Sequence, residues 1–147
     1  MKLTFNPKNT HKDKDIHFVI ITANYNYSDQ WIFVKKKGSD SWELPAGHKE
    51  DGETVFQTAN RELFEETGAK EYTIEVLTDY TLENDESIGV GRIFLAIIES
   101  LGELPDSEIE KCIISKSFPK PHTYPILQYE ILQFAKKYIR GKKNENI

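Results

Sequence analysis

The stretch Gly47-His48-Lys49-Glu50-Asp51-Gly52-Glu53-Thr54-Val55-Phe56-Gln57-Thr58-Ala59-Asn60-Arg61-Glu62-Leu63-Phe64-Glu65-Glu66-Thr67-Gly68-Ala69 carries a helix with marked ends. Thr54 is an N-cap residue, and Gln57 three positions on completes a capping-box pattern. Gly68 supplies the residue that most easily takes the left-handed conformation that stops a helix. At 100° per residue, Phe56, Ala59 and Leu63 fall within about 60° of one another and predict the core stripe. Glu62, Glu65 and Glu66 stand at i, i+3 and i+4 on an adjoining face.

That face repels itself. Like charges at this spacing cost a few tenths of a kcal/mol per pair. They also crowd the C-terminal half, where the helix dipole disfavours anions. Arg61 offsets one carboxylate through its i+4 relation to Glu65, but not three. Two readings account for the pattern. One is a plain solvated acidic face; the other is a face that receives a divalent cation. Oxygen donors of this kind suit Mg²⁺ or Mn²⁺, especially where substrate phosphates complete the coordination.

Outward from the helix, His17 to Thr22 and Gln30 to Lys36 read as two strands of a hairpin around the turn-rich Asn24–Asp29. Tyr72 to Thr81 and Val90 to Glu99 read as a second pair. Ile126, Leu127, Tyr129, Ile131, Leu132, Phe134 and Ala135 mark a C-terminal amphipathic helix ending near Arg140-Gly141. Strand pair, helix, strand pair and helix predict an α/β (α+β) domain with helices covering a mixed β-sheet.

Composition narrows the class. The 147 residues suit a single domain over 1–147, with frayed polar ends at about 1–12 and 141–147. Eight Phe, seven Tyr and two Trp supply core material, which excludes wholesale disorder. Nineteen basic against 24 acidic residues give a net charge of -5, which argues against a duplex nucleic-acid surface. Cys112 is the lone cysteine, so neither an internal disulfide nor a multi-cysteine zinc site is expected. No apolar run approaches the roughly 20 residues of a membrane span, and no targeting segment is visible. A cytoplasmic protein is the expectation.

The quoted stretch resembles the Nudix box: Gly47, five residues, Glu53, seven residues, then Arg61-Glu62-Leu63-Phe64-Glu65-Glu66-Thr67-Gly68 and Ala69. All seven fixed positions match. The lead-in Leu44-Pro45-Ala46-Gly47 is similar to the Leu-Pro-Gly-Gly approach of that family, with Ala46 in place of its first glycine. The resemblance implies a Nudix-type α/β/α sandwich and a Mg²⁺-dependent hydrolase (Mn²⁺ as substitute) that cleaves a nucleoside diphosphate linkage by water attack at phosphorus. It makes Glu65 and Glu66 direct metal ligands, Glu62 a third ligand or a holder of bound water, and the Gly47 carbonyl a further ligand. Arg61 is then expected to hold the carboxylates, and Glu53 to brace the loop against the helix. Glu108 is similar in placement to an extra glutamate of MutT-like members, a candidate base with Glu103 and Glu110 as close rivals.

The substrate is read outside the box. Trp31, Phe33, Phe118 and Tyr124 are candidate stacking faces, with Lys120 and His122 candidates for a phosphate, although aromatic residues in strands are more often core. The prolines of Phe118 to Pro125 predict a stiff wall. No proline closely follows the box, unlike ADP-ribose-cleaving members, and the tyrosine marker of dinucleoside-polyphosphate hydrolases has no convincing match. A MutT-like nucleoside triphosphate pyrophosphatase is the expectation. Nucleotide sugars, dinucleoside polyphosphates, RNA 5′ ends and a non-catalytic nucleotide-binding regulator are the alternatives. The partner is a small-molecule nucleotide; a homodimer is compatible with the family.

Overall fold

A computed structural model describes residues 1–145 of the chain. Seven strands and two α-helices occur among them: β1 (Lys2–Asn6), β2 (Phe18–Tyr25), β3 (Trp31–Lys36), β4 (Ala46–His48), α1 (Val55–Thr67), β5 (Ala69–Glu83), β6 (Ile88–Leu101), β7 (Ile109–Ser115) and α2 (Leu127–Glu145). The sheet runs β1-β5-β6-β2-β3-β7, with β4 attached to β2. The β2–β6 pair is parallel, with Val19 opposite Arg92 and Tyr25 opposite Ile98. The other pairs are antiparallel, so the sheet is mixed, as expected.

Period-two alternation divides the apolar residues between two cores. Ile20, Ile93, Leu95 and Ile97 face one side, packing with Ile131, Leu132 and Ala135 of α2. Val19, Ile21, Phe94, Ala96 and Ile98 face the other, packing with Val55, Ala59 and Leu63 of α1. The central strands are apolar on both faces and read as continuous runs for that reason. Each fully buried side chain of this size contributes about 1.5–3 kcal/mol relative to exposure. The result is the three-layer α/β/α sandwich.

Helix α1 has its expected ends. Gln57 N donates to Thr54 Oγ1 at 3.1 Å and Thr54 N to Gln57 Oε1 at 2.9 Å. Gly68 closes it at φ 73°, where a Cβ would also meet the Glu103 carbonyl oxygen at 2.6 Å. The core stripe is corrected by one position. Phe56 is 52% exposed, and Val55 packs with Ala59 and Leu63 instead. The helix is rotated so that Glu62 and Glu66 share its sheet-facing side.

The ends are corrected too. Residues 2–6 are strand β1 rather than frayed chain, paired with β5 from Lys2 opposite Glu83 to Asn6 opposite Asp79. Helix α2 passes Arg140-Gly141 and continues to Glu145; residues 146–147 lie outside the described part. Strands β4 and β7 were not anticipated either. Segment 7–17 is tied to the sheet by Arg92. Its Nε donates to Asp79 Oδ1 at 2.8 Å, Nη1 to Asp13 Oδ1 at 2.7 Å and Nη2 to the His11 carbonyl at 2.7 Å. No described helix is long and apolar enough to cross a membrane.

Candidate active site

Antiparallel pairing of β4 with β2 sets Gly47 opposite Val19 and lays the strand beside α1. A Cβ on Gly47 would fall 2.0 Å from Glu62 Cδ and 2.1 Å from Glu62 Oε1. Only a residue without a side chain lets the Glu62 carboxylate lie against the backbone here. One turn on, Glu66 is 1% exposed. Its Oε1 accepts from Ala46 N at 3.0 Å, while Oε2 is buried with no partner among the described residues. The Ala46 N–H performs this task with or without a Cβ, so the alanine in the lead-in leaves that contact intact.

Arg61 gathers the other acids. Its Nε donates to Glu53 Oε2 at 2.6 Å, Nη1 to Glu62 Oε1 at 2.9 Å and to Glu65 Oε2 at 3.2 Å, and Nη2 to the His48 carbonyl at 2.9 Å. Glu50 Oε1 lies 3.6 Å from Nη1. The expectation that Arg61 offsets one carboxylate is therefore too low; it touches four. The planar fork with five N–H groups makes this geometry available. Glu53 in turn accepts from Glu50 N and Thr58 Oγ1, fixing loop to helix.

These environments drive the acids apart. The Arg61 hydrogen bonds hold the Glu53 carboxyl down at about 2. Burial pushes Glu62 up, against the opposing pull of Arg61. Burial pushes Glu66 up to about 9, and the facing carboxylates of Glu62 and Glu108 add to it while the Ala46 N–H opposes. A carboxylate sealed from water without a counter-charge is costly. The solvated-face reading fails for Glu62, 8% exposed, and for Glu66; it suits only the more open Glu65.

The residues fit a hard divalent cation. The donors are carboxylates with a close backbone approach, and Glu66 Oε2 is a carboxylate oxygen lacking a partner. Among the described residues no three acidic, His or Cys side chains already converge as a ligand set. Glu62 and Glu65 are instead drawn to Arg61.

Beside the acids opens a cavity of about 470 Å³, lined by Gly47, Glu62 and Glu108 together with Tyr80, Leu82 and Leu127. Glu108 is brought there by the bond from Lys37 N to its carbonyl at 2.8 Å, next to the register shift at Lys35/Lys36. Its rivals are placed elsewhere. Glu110 pairs with Lys35 at 3.6 Å, and Glu103 sits at the C-cap of α1. Tyr124, 45% exposed, lines the cavity. Trp31, Phe33 and Phe118 are corrected to core residues, 2%, 0% and 7% exposed, with Phe33 and Phe118 ring centroids 4.6 Å apart. Rings buried in this way offer no free face to a base. His122 stacks on Phe118 at 4.4 Å as part of that wall, while Lys120 is exposed and does not line the cavity.

Two cavity residues escaped the sequence reading. Lys36 Nζ lies 3.6 Å from Glu43 and 3.9 Å from Glu108. Burial works against its charge, but Glu43, Glu108 and Glu66 outweigh it and raise the ammonium's pKa. Gln128 is buried at the start of α2. A lysine in a run of three, and a glutamine in an amphipathic helix, carry no local signal.

An open mixed sheet between two helices, with a Gly-backed acidic helix beside a cavity, defines a three-layer α/β/α domain of the Nudix type. The chain belongs to the NUDIX domain family, whose profile matches residues 16–123. It is similar to the RNA pyrophosphohydrolase of Tolumonas auensis, 38% identical over 52 residues, or 35% of this chain and 30% of that protein. The RNA pyrophosphohydrolase of Actinobacillus succinogenes is 40% identical over 52 residues, 35% of this chain and 26% of that one. The chain thus spans less than a third of the length of these curated relatives. In fold it resembles the Bacillus subtilis pyrophosphohydrolase BsRppH, with TM-score 0.72 and 19% identity over 98% of this chain and 90% of that one. It also resembles the NUDIX domain of Shewanella oneidensis NrtR, solved with ADP ribose, with TM-score 0.67 and 15% identity over 89% and 94%.

Proposed function

We propose that the chain is a divalent-metal-dependent pyrophosphohydrolase that cleaves a nucleoside 5′-triphosphate group by attack of water at phosphorus. The observation that carries this is Glu66: a buried carboxylate with one oxygen fixed by a backbone N–H and the other unpartnered, one helical turn from Glu62, which lines a nucleotide-sized cavity. Glu62, Glu65, Glu66 and the Gly47 carbonyl would hold Mg²⁺ or Mn²⁺. The cation, when bound, neutralises charge on the phosphate oxygens.

The chain's own residues do the rest. Arg61 fixes Glu62 and Glu65, and Glu53 fixes Arg61. Glu108 takes the proton of the attacking water on a carboxylate oxygen, from the wall opposite α1. Lys36 orients Glu108 and offers a charge to the polyphosphate. Phosphates would then lie beside Glu62 and Glu108, and the nucleoside against Tyr80, Leu82, Leu127 and Tyr124.

The free nucleotide is the first reading, and the RNA 5′ end is the second. A groove of about 590 Å³ shares Leu82, Tyr124 and Leu127 with the cavity, giving room beyond the first nucleoside. The names of the curated relatives favour the same substrate. Incubation with free triphosphates, ADP-ribose, dinucleoside polyphosphates and 5′-triphosphorylated RNA, with products identified by mass, tests the proposal. Metal-dependent pyrophosphate or phosphate release is expected. Nucleotide binding without turnover would establish a regulator instead.

A further inference from the structure

The cavity holds a buried polar side chain that pyrophosphate chemistry does not use. Gln128, 3% exposed, lines the cavity beside Tyr80, Leu82 and Leu127. Its Oε1 accepts from Leu44 N at 2.7 Å. A peptide N–H only donates, so the atom facing it is the amide oxygen and the two ends of the amide are assigned by chemistry. Buried Leu44 needs this acceptor, which locks the side chain.

The amide nitrogen is left over. No hydrogen bond from Nε2 forms among the described residues. The fully enclosed side-chain polar atoms without a partner are Asn24 Oδ1 and Glu66 Oε2 among the described residues; the Gln128 nitrogen is not one of them, and its residue lines the cavity. That nitrogen is a fixed neutral donor in a cavity whose other polar lining groups include the charged Lys36, Glu43, Glu62 and Glu108. Single well-placed polar groups of this kind orient ligands and discriminate among them.

We infer that Gln128 reads the nucleobase as a hydrogen-bond donor and selects an oxo base, guanine or uracil, over an amino base, adenine or cytosine. The inference rests on the pyrophosphohydrolase reading, which puts phosphates beside Glu62 and Glu108 and the base against Tyr80, Leu82, Leu127 and Gln128. Guanine O6 and uracil O4 accept, whereas adenine N6 and cytosine N4 donate. An amino group against Nε2 would set donor against donor and leave both without a partner.

The test compares kcat/KM, with Mg²⁺, for GTP, ITP and ATP, and the same bases at the 5′ end of triphosphorylated dinucleotides, which separates free nucleotide from RNA end. In the wild type GTP should exceed ATP at least tenfold, and ITP, which has the carbonyl without the 2-amino group, should follow GTP. Gln128→Glu keeps the acceptor for Leu44 and replaces the donor, so the GTP:ATP ratio should fall at least fivefold. Gln128→Leu removes both and should bring the ratio near one. Each ratio is taken within one variant, so loss of folded protein cancels. Equal use of GTP and ATP by the wild type, or an undiminished ratio in Gln128→Glu, overturns the inference. Calorimetry with GMP and AMP needs no turnover. If the chain hydrolyses nothing, the enzymatic reading falls, yet preference for GMP upholds the role of Gln128 and equal binding refutes it.

Discussion

Replacing Gly47 by alanine adds one carbon atom at the point where β4 touches α1. That carbon would sit 2.0 Å from Glu62 Cδ and 2.1 and 2.5 Å from the carboxylate oxygens. Non-bonded carbons settle at about 3.5–4 Å, so the carboxylate must retreat by roughly 1.5 Å. β4 cannot yield instead, because Val19, opposite Gly47, is fully buried. The retreat breaks the 2.9 Å bond from Arg61 Nη1 to Glu62 Oε1. A hydrogen bond to a charged group contributes about 1.5–3 kcal/mol, and part is recovered where the group finds water. A loss of about 1–3 kcal/mol is expected, lowering Tm by about 2–12 °C at roughly 2–4 °C per kcal/mol for a chain this size. The effect on turnover should be larger, because a displacement of about 1 Å in a catalytic group costs about 100-fold. Urea melts and Mg²⁺-dependent release of phosphate or pyrophosphate measure the two. Wild-type turnover with an unchanged Mg²⁺ titration would refute the contact between Gly47 and Glu62 as a condition of the site.

Glu66 gives a pH signature in the metal-free protein. Its folded pKa, about 9, lies above the ordinary 4.5, so its contribution to stability is intact below about pH 4.5 and is lost as pH rises through about 9. In EDTA, Glu66→Gln should therefore gain stability relative to wild type between pH 5 and 9 while losing metal-dependent turnover; parallel urea midpoints across that range would contradict it. Arg92→Met strands Asp79, 0% exposed, and should cost about 3–5 kcal/mol, with most of it regained in Arg92→Met/Asp79→Leu. Chemical denaturation checks this, and an equally unstable double variant would speak against it. Arg61→Lys keeps the charge but loses the fork shared by Glu53, Glu62 and Glu65, so turnover should drop by about 10–100-fold with the fold retained by circular dichroism. For the corrected helix face, Leu63→Ala should cost about 2–5 kcal/mol and Phe56→Ser about 0.5 kcal/mol or less; the opposite order would restore the face read from sequence.

What was legible in the sequence was local. Thr54, Gln57 and Gly68 fix the ends of α1 through contacts no more than four residues apart, and such signals survive without a tertiary context. The apolar runs of β2 and β6 marked strands, but not that they pair in parallel across 73 positions, since periodicity carries no partner. β1 alternates over only five residues, setting Leu3 and Phe5 against the α2-side core, a pattern too short to mark a strand apart from its pairing with β5. Phe56 lies off the buried face because that face is wider than the apolar stripe alone. The structure buries Val55, Glu62 and Glu66 on it instead, and a carboxylate in that position reads as surface until its partner is known. The groups that shape the cavity are bound over long distances: Glu66 by Ala46, 20 residues away, and Gln128 by Leu44, 84 away. Both side chains are held at one atom by a backbone N–H and left without a protein partner at the other. That half-satisfied state exists only once the sheet and both helices have closed, and it is what makes each of them available to a ligand.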